Sequence, residues 1–424
     1  MPHAFVPTPT PAPPEFSNST DTPVDRAGPL DGLLVADFSR VLAGPYSTQL
    51  MGDLGATIVK VEGPAGDETR DWAPPARDGV STYYLGVNRN KRSVTLNLAD
   101  ADDRALAQEL ARRADIVIEN FKPGGLAKFG LDYASVRAEN PTVIYASISG
   151  FGTAGGATLP GYDLIVQAMS GLMSLTGDAD GTPFRSGVSV FDVMTGMQAT
   201  VGILAALNHR NSTGQGQLVQ VNLLSTALSA MANHSSTYIA GGTVPFRMGN
   251  AHPSLFPYEP LPASDGDIVI VAANDPQFVK LATALGHPEW ADDDRFARTV
   301  SRNQNREALR PLLVAALAGK TTAEWFAELT RAGVACGPIN TIDDGVALAD
   351  SLGLDPVVQV GEGDAAIPMV RNPIDFSLTP ARYLSPPPTL GQDAAEIRQW
   401  LSRPNSDHAH TPYDANYDES EYDL

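Results

Sequence analysis

Short apolar runs alternate with amphipathic helical stretches along the first part of the chain. Residues 93–98 alternate between apolar and polar side chains as a half-buried strand does. Helical patterns begin at Pro45 and cover residues 103–114. The apolar runs with the length of buried strands lie at residues 33–38, 57–61, 115–119 and 143–149. This alternation predicts an α/β fold with a mostly parallel, doubly wound sheet.

The second half of the chain predicts longer helices and then a separate small α/β unit. Residues 240–256 are rich in Gly and Pro and interrupt the pattern, which is typical of a linker. Thr321 and Glu324 have the spacing of a capping box at the start of one helix. The predicted helices are 193–209, 223–239, 276–285, 305–318, 321–331 and 394–401, with a strand at 267–272.

Composition shifts along the chain suggest the domain boundaries. The ends are rich in Pro and Thr on one side and in acidic residues on the other, and neither has much to bury. We predict a disordered Pro-rich tail at 1–28, a large domain at 29–240, a linker at 241–256, a small α/β domain at 257–345, a segment at 346–402 that returns to the large domain, and an acidic tail at 403–424.

Charge and cysteine content exclude several classes of protein. The chain has 49 acidic against 29 basic residues and a net charge of -20, which disfavours nucleic acid as a partner. One cysteine, Cys336, allows no internal disulfide and no Cys-rich metal site. The N-terminus lacks the pattern of a signal peptide, and no run of about 18 uninterrupted apolar residues suggests a membrane span. We therefore expect a cytoplasmic protein that does not bind a membrane.

One catalytic motif lacks the structural context that it needs, and several others are absent from the sequence. Residues 150–155 satisfy G-x-G-x-x-G after a predicted strand, but a loop rich in Gly and Pro follows where a dinucleotide site needs a helix. We interpret them as a turn. The sequence has no P-loop and no G-x-S-x-G, and its histidines lack metal-ligand spacing. These observations disfavour ATP-driven chemistry, serine hydrolysis and metal catalysis.

The remaining candidates lie at strand and helix ends. The loop 39–45 leads into a helix N-terminus, which favours a phosphate or carbonyl ligand. Basic residues in segments 88–93 and 119–124 are either phosphate clamps or ordinary surface charges. Asp163 and Asp192 each precede or begin an apolar helix, where an N-cap is the simplest interpretation. These residues by themselves leave the function open.

Together, however, the motifs resemble those of the class III CoA-transferases of the CaiB/BaiF type, which include formyl-CoA and carnitine CoA-transferases. The likeness runs from about residue 29 to 400. It is carried by VADFSRVLAGPYSTQLMGDLGA (35–56), NRNKRSVTLNL (88–98), ADIVIENFKPG (114–124), GYDLIVQAMSGLMSLTG (161–177), FDVMTGMQATVGILAAL (191–207), TGQGQLVQVNLL (213–224), RMGNAHP (247–253) and CGPIN (336–340).

The resemblance implies a fold, a partner and a set of site residues. It implies a Rossmann-like large domain, a smaller domain and a homodimer of two chains interlocked like rings. It implies Asp192 as the nucleophile, with Tyr162 and Asp163 lining the reacting centre. The residues that it implies for CoA binding are Val41, Leu42, Ala43, Leu96, Asn120, Phe121, Lys122 and Lys128.

The chemistry of these residues fits CoA transfer between carboxylic acids. A carboxylate is ionised at pH 7 and attacks a thioester without a general base, so no metal and no permanently bound cofactor is expected, and CoA is a substrate. Two alternatives stay open, a 2-methylacyl-CoA racemase and a non-catalytic acyl-CoA-binding protein. Related racemases carry His where this chain has Tyr162. The donor and acceptor stay unidentified, although family habit suggests succinate or C5 dicarboxylates.

Overall fold

A computed structural model describes residues 28–403 of the chain. The remaining parts of the two predicted tails, residues 1–27 and 404–424, lie outside the described residues. The chain forms two compact units. Of the described residues, the first unit contains 28–161, Phe191–Thr226 and 355–403, and the second contains Tyr162–Val190 and Ala227–Leu354. The units are interleaved along the chain, and the predicted domain boundaries stay a prediction.

The strands of both units are short, and their burial varies from strand to strand. In chain order they are β1 (Leu34–Asp37), β2 (Thr57–Glu62), β3 (Ala76–Arg77), β4 (Val80–Ser81), β5 (Lys91–Thr95), β6 (Ile116–Glu119), β7 (Ile144–Ser149), β8 (Leu218–Asn222), β9 (Tyr258–Pro262), β10 (Asp267–Val271), β11 (Ala335–Pro338), β12 (Val357–Val360) and β13 (Ile367–Val370).

A six-stranded parallel sheet forms the centre of the first unit. Its order is β5-β2-β1-β6-β7-β8, and every neighbouring pair is parallel. This confirms the predicted α/β class with a large parallel sheet. The outer strand β8 was not predicted as a strand, because its side chains are only partly buried and give no continuous apolar run.

The helices agree with the predicted positions but differ at several ends. Helix α1 begins at Ala43, two residues before Pro45. The predicted helix 223–239 is divided at Ala232, whose φ is 34°. The helices are α1 (Ala43–Asp53), α2 (Thr82–Leu85), α3 (Ala101–Arg113), α4 (Tyr133–Glu139), α5 (Asp163–Met169), α6 (Leu172–Leu175), α7 (Val190–Thr213), α8 (Leu223–Ala230), α9 (Ala232–Ile239), α10 (Asp275–Ala284), α11 (Thr299–Gln304), α12 (Arg306–Leu317), α13 (Thr322–Arg331), α14 (Ile342–Ser351) and α15 (Ala394–Leu401).

Each unit has a hydrophobic core of its own. In the first unit, Ala36 and Val117 of the sheet and Leu110 of α3 are buried in one cluster, which Ile397 of α15 joins. The second unit has the antiparallel sheet β11-β10-β9 and a core that contains Phe278. The predicted capping box of α13 is confirmed, since the Glu324 amide donates to Thr321 Oγ1 at 3.3 Å and the Thr321 amide to Glu324 Oε2 at 2.9 Å. Apolar burial of this kind drives the folding of each unit.

Helix α7 is long and apolar enough, by length and composition, to cross a membrane, although the sequence contains no uninterrupted apolar run of that length. This is weak evidence for a span, because core helices of folded domains meet the same test. Within the first unit α7 packs on α1, where Thr200 and Ser47 share a hydrogen bond of 2.9 Å between their hydroxyls. Helix α7 is therefore a packed helix of this unit.

Candidate active site

The first βα loop joins the buried end of β1 to the start of α1. Its residue Val41 has a φ of 69°, in the left-handed region. A β-branched side chain is disfavoured there, and such strain costs about 1–3 kcal/mol. Leu42 is the N-cap residue of α1 and forms no side-chain capping bond. The amides of the first helical turn are therefore not capped by a side chain.

Asn120, which follows β6, holds the loop from one side. The Arg40 amide donates to Asn120 Oδ1 at 3.0 Å, and Asn120 Nδ2 donates back to the Arg40 carbonyl at 2.7 Å. The Arg40 guanidinium lies 6.0 Å from the centre of the Phe121 ring. The carboxyl ends of β1 and β6 thus bring together two segments that are 80 residues apart in sequence.

Helix α7 carries Asp192 towards the same loop. Gly196 lies so close to α1 that a Cβ added to it would be 2.5 Å from the Ala43 carbonyl oxygen. One turn later Thr200 bonds Ser47. Residues four apart share a helix face, so Asp192 lies one turn before Gly196 on the face that packs against α1 and its preceding loop. The acid therefore belongs to the edge of the sheet where the first βα loop lies.

Asp192 is the third residue of α7 and is half-buried, so the N-cap interpretation of this residue is wrong. The first turn is still a favourable place for a carboxylate, because the amide dipoles of the helix point their positive ends towards it.

Four charged side chains lie buried beneath the loop. Lys60 Nζ is 2.8 Å from Asp67 Oδ2 and donates to the Ser39 carbonyl at 3.1 Å. Lys91 Nζ donates to the Pro45 carbonyl at 2.9 Å and lies 3.4 Å from Asp37 Oδ2. Burial lowers the pKa of Lys91 to about 7, an effect that Asp37 partly offsets. For Asp37, burial opposes ionisation, but Lys91 and Lys60 outweigh it and lower the pKa.

Sequence reasoning missed Lys60 and Asp67. The signal was the charged residue inside the strand TIVKV, since a lysine at an inward position of a buried strand needs a buried partner. Asp67 is the partner. Its Oδ2 also accepts a hydrogen bond of 3.3 Å from the Val41 amide.

The phosphate-clamp hypothesis for residues 88–93 is wrong. Arg89 Nη2 is 2.6 Å from Asp53 Oδ2, and both side chains are buried. Lys91 is fully buried, and Arg92 pairs with Asp393 at 3.2 Å. These cations already have carboxylate partners, so they are not available to a phosphate.

The other predicted CoA-binding residues differ in their exposure. Lys122 and Lys128 are exposed. Leu96 is buried in the core, so its side chain is not available to a ligand. Lys122 also lines an open groove of about 540 Å³ whose floor includes Glu119. Burial raises the pKa of Glu119, although the Phe121 amide bonds its carboxylate at 2.7 Å and opposes the shift.

Tyr162 and Asp163 belong to the second unit. Tyr162 is exposed and occupies the N-cap position of α5, whereas Asp163 is its buried first residue, so Asp163 is not the N-cap. The Asp163 carboxylate accepts a hydrogen bond from Gln167 Nε2, which also donates to the Val188 carbonyl at 3.2 Å. These bonds fix the segment before α7 to α5.

Among residues 28–403 no cluster of three His, Cys, Asp or Glu side chains is placed to hold a metal ion. The parallel sheet, the loop at the start of α1 and the acid on α7 define an α/β enzyme whose candidate site lies at the carboxyl edge of the strands, where ligands of such sheets bind.

Comparison with known proteins identifies the family. The model of CoA-transferase family III matches residues 30–394, and the chain belongs to that family. It is 41% identical to a succinate–glutarate CoA-transferase of Agrobacterium fabrum, over 89% of this chain and 96% of that protein. It is 38% identical to an acetyl-CoA:oxalate CoA-transferase of Acetobacter aceti, over 91% and 99%. A crystal structure of a CaiB/BaiF family protein from Brucella suis matches with a TM-score of 0.79 and 42% identity, covering 89% of this chain and 100% of that one. The protein is therefore a CoA-transferase.

Proposed function

We propose that this CoA-transferase works through a covalent intermediate on Asp192. The observation that carries the proposal is the packing of α7, in which Gly196 lies against the Ala43 carbonyl and Asp192 is one turn earlier on the same face. The acid is half-buried in a first helical turn, where a carboxylate is stabilised as an anion.

The exchange proceeds in balanced steps. The Asp192 carboxylate attacks the thioester carbonyl, CoA leaves as the thiolate, and a mixed anhydride forms. The thiolate then attacks the aspartyl carbonyl, which releases the donor acid and leaves an aspartyl-CoA thioester. The acceptor carboxylate reverses these steps and leaves as the new acyl-CoA. One thioester replaces another, so the overall free-energy change is small.

The loop and its neighbours are suited to the two ends of CoA. Val41, Leu42 and Ala43 offer main-chain groups to the thioester and pantetheine arm, beside Asn120 and Phe121. The exposed Lys122 and Lys128 serve the nucleotide end, because lysine is a common phosphate partner. Leu96 stays a candidate there on the resemblance alone. Tyr162 and Asp163 stay candidates for the reacting centre on the resemblance alone.

Small dicarboxylates are the proposed donor and acceptor acids. The named relative from Agrobacterium fabrum transfers CoA between succinate and glutarate. Another relative, 39% identical over 382 residues, is the succinyl-CoA:mesaconate CoA-transferase of Haloarcula hispanica. C4 and C5 dicarboxylates are therefore the first acids to assay.

We also propose a homodimer with interlocked chains. The support for association is an apolar stripe on α7, formed by Met197, Val201 and Leu204, which are 50%, 61% and 37% exposed in the single chain. The interlocking rests on the family resemblance alone. Exposed apolar patches of this kind mark association surfaces.

A transfer assay tests the proposed nucleophile. We expect the wild type to form glutaryl-CoA from succinyl-CoA and glutarate, and Asp192→Asn to lose at least about 1000-fold of that activity, because the amide is not a nucleophile. Asp102→Asn is the matched control, since Asp102 is an exposed acid in the first turn of α3. Full activity of Asp192→Asn would exclude Asp192 as the nucleophile.

A further inference from the structure

The backbone of the first βα loop adopts a conformation that its own sequence disfavours. Within residues 28–403, five non-glycine residues have a positive φ, and Val41 is the one with a β-branched side chain. The others are Asp78, Asn90, Ala232 and Asp355. Val resists the left-handed region, so the conformation at Val41 must be imposed by its surroundings.

The group that contacts the Val41 amide is a buried carboxylate. The Val41 nitrogen lies 3.3 Å from Asp67 Oδ2 and 3.4 Å from Oδ1. Asp67 is in turn fixed by Lys60 Nζ at 2.8 Å and by the Thr69 amide and hydroxyl at 3.1 and 2.8 Å. Burial disfavours its ionisation, but Lys60 and these bonds hold the pKa of Asp67 below its usual range.

Lys60 connects this carboxylate to a second point of the loop. Its ammonium group also donates to the Ser39 carbonyl at 3.1 Å, two residues before Val41. Asn120 holds the Arg40 peptide between them. Main-chain groups on consecutive loop residues are thus fixed by side chains from outside the loop.

We propose that Asp67, oriented by Lys60, is a positioning residue that holds Val41 in its left-handed conformation and so shapes the loop that receives CoA. This inference rests on the proposed function, because it takes the loop to be a CoA contact. Asp67 acts through the Val41 amide and is not a catalytic residue.

The substitution Asp67→Asn removes the constraint with little change of shape. One oxygen of the carboxylate becomes an NH2 group, which is a donor. At the place of Oδ2 it faces the Lys60 ammonium and the Val41 amide, and at the place of Oδ1 it faces the Thr69 and Val41 amides, all of which are donors. In either orientation one side of the two-oxygen contact with the Val41 amide is lost to a facing donor, and the Lys60 ammonium loses its carboxylate partner, so Val41 is released to relax towards negative φ.

A double-mutant cycle with Val41→Gly tests the proposal, because glycine adopts positive φ without being forced. The measurements are the Kd of free CoA by calorimetry and the Tm. We expect Asp67→Asn to weaken CoA binding about tenfold in the Val41 background and less than about threefold in the Gly background. The fall in Tm should be similar in both backgrounds, because it comes from burying the Lys60 charge without its partner.

A control variant separates a loss of CoA affinity from a general loss of stability. Asp53→Asn weakens a buried pair with Arg89 at the far end of α1, and it should lower the Tm without changing the Kd of CoA. An equal loss of CoA affinity in both Val41 and Gly backgrounds, unchanged affinity in Asp67→Asn, or no CoA binding by the wild type would overturn the proposal. These outcomes differ from a failure of the proposed function. A wild type that binds CoA but does not transfer it contradicts the transfer mechanism and leaves the role of Asp67 intact.

Discussion

Buried charge determines the shape of the candidate site at the scale of single residues. Asp37, Lys60, Asp67 and Lys91 have almost no exposure to solvent, yet each bonds the main chain or a side chain of the loop or of α1. Charged groups are rarely buried without partners, because desolvation is expensive. The network therefore makes this region sensitive to protonation.

The pKa of Lys91 predicts a pH dependence of stability. Burial lowers it from 10.5 to about 7 in the folded protein. Between these values the unfolded chain binds more protons, so the contribution of Lys91 increases the free energy of unfolding as the pH rises above 7. We expect the stability of the wild type relative to Lys91→Met to grow from pH 7 to 9, by at most about 1.4 kcal/mol per pH unit.

Urea unfolding at pH 7, 8 and 9 measures this difference. Lys280→Met is the control, because it makes the same substitution at an exposed lysine. Parallel pH curves for the wild type and Lys91→Met would show that Lys91 does not have the lowered pKa.

At the scale of elements, the contact between α1 and α7 places Asp192, the proposed nucleophile. Gly196 is the point of closest approach, because its missing Cβ leaves room for the Ala43 carbonyl. The sequence pattern predicted both helices and singled out Asp192, but not the contact between them. Periodicity identifies which face of a helix is apolar, whereas the partner of that face depends on the packing of the whole unit.

Gly196→Ala tests this contact. An added Cβ would lie 2.5 Å from a main-chain oxygen, so we expect a loss of about 1–3 kcal/mol in the free energy of unfolding and a fall in transfer activity. Gly345→Ala is the matched control, since this exposed glycine of α14 has nothing within 4 Å of the added carbon. That change should stabilise the protein by about 0.4–1 kcal/mol. Equal effects of the two substitutions would contradict the close packing of α7.

The sequence predicts the buried strands of the sheet better than it predicts contacts between distant residues. Apolar runs predicted β1, β2, β6 and β7, because strands buried on both faces have a continuous apolar signal. They missed β8, whose side chains are partly exposed. The basic segment 88–93 was misjudged because sequence gives no indication that Arg89 meets Asp53 across 36 residues. Long-range ion pairs are set by the fold and not by local pattern.

At the scale of the whole molecule, the apolar stripe of α7 predicts assembly. We expect a mass of twice the 44.8 kDa of the chain in light scattering after size-exclusion chromatography. Val201→Glu should abolish the dimer, because a charge would be buried without a partner in its interface. Val300→Glu on α11 is the control, since that valine is 69% exposed and lies outside the stripe. A wild type of 44.8 kDa would contradict the homodimer.

Trapping the activated aspartate tests the central claim most directly. The enzyme is incubated with succinyl-CoA and hydroxylamine, which converts an aspartyl anhydride or thioester to a hydroxamate, and its peptides are analysed by mass spectrometry. We predict a hydroxamate on the peptide that contains Asp192 and its loss in Asp192→Asn. Transfer of CoA to glutarate by the wild type with no adduct, or with the adduct on another carboxylate, would contradict a covalent mechanism at Asp192.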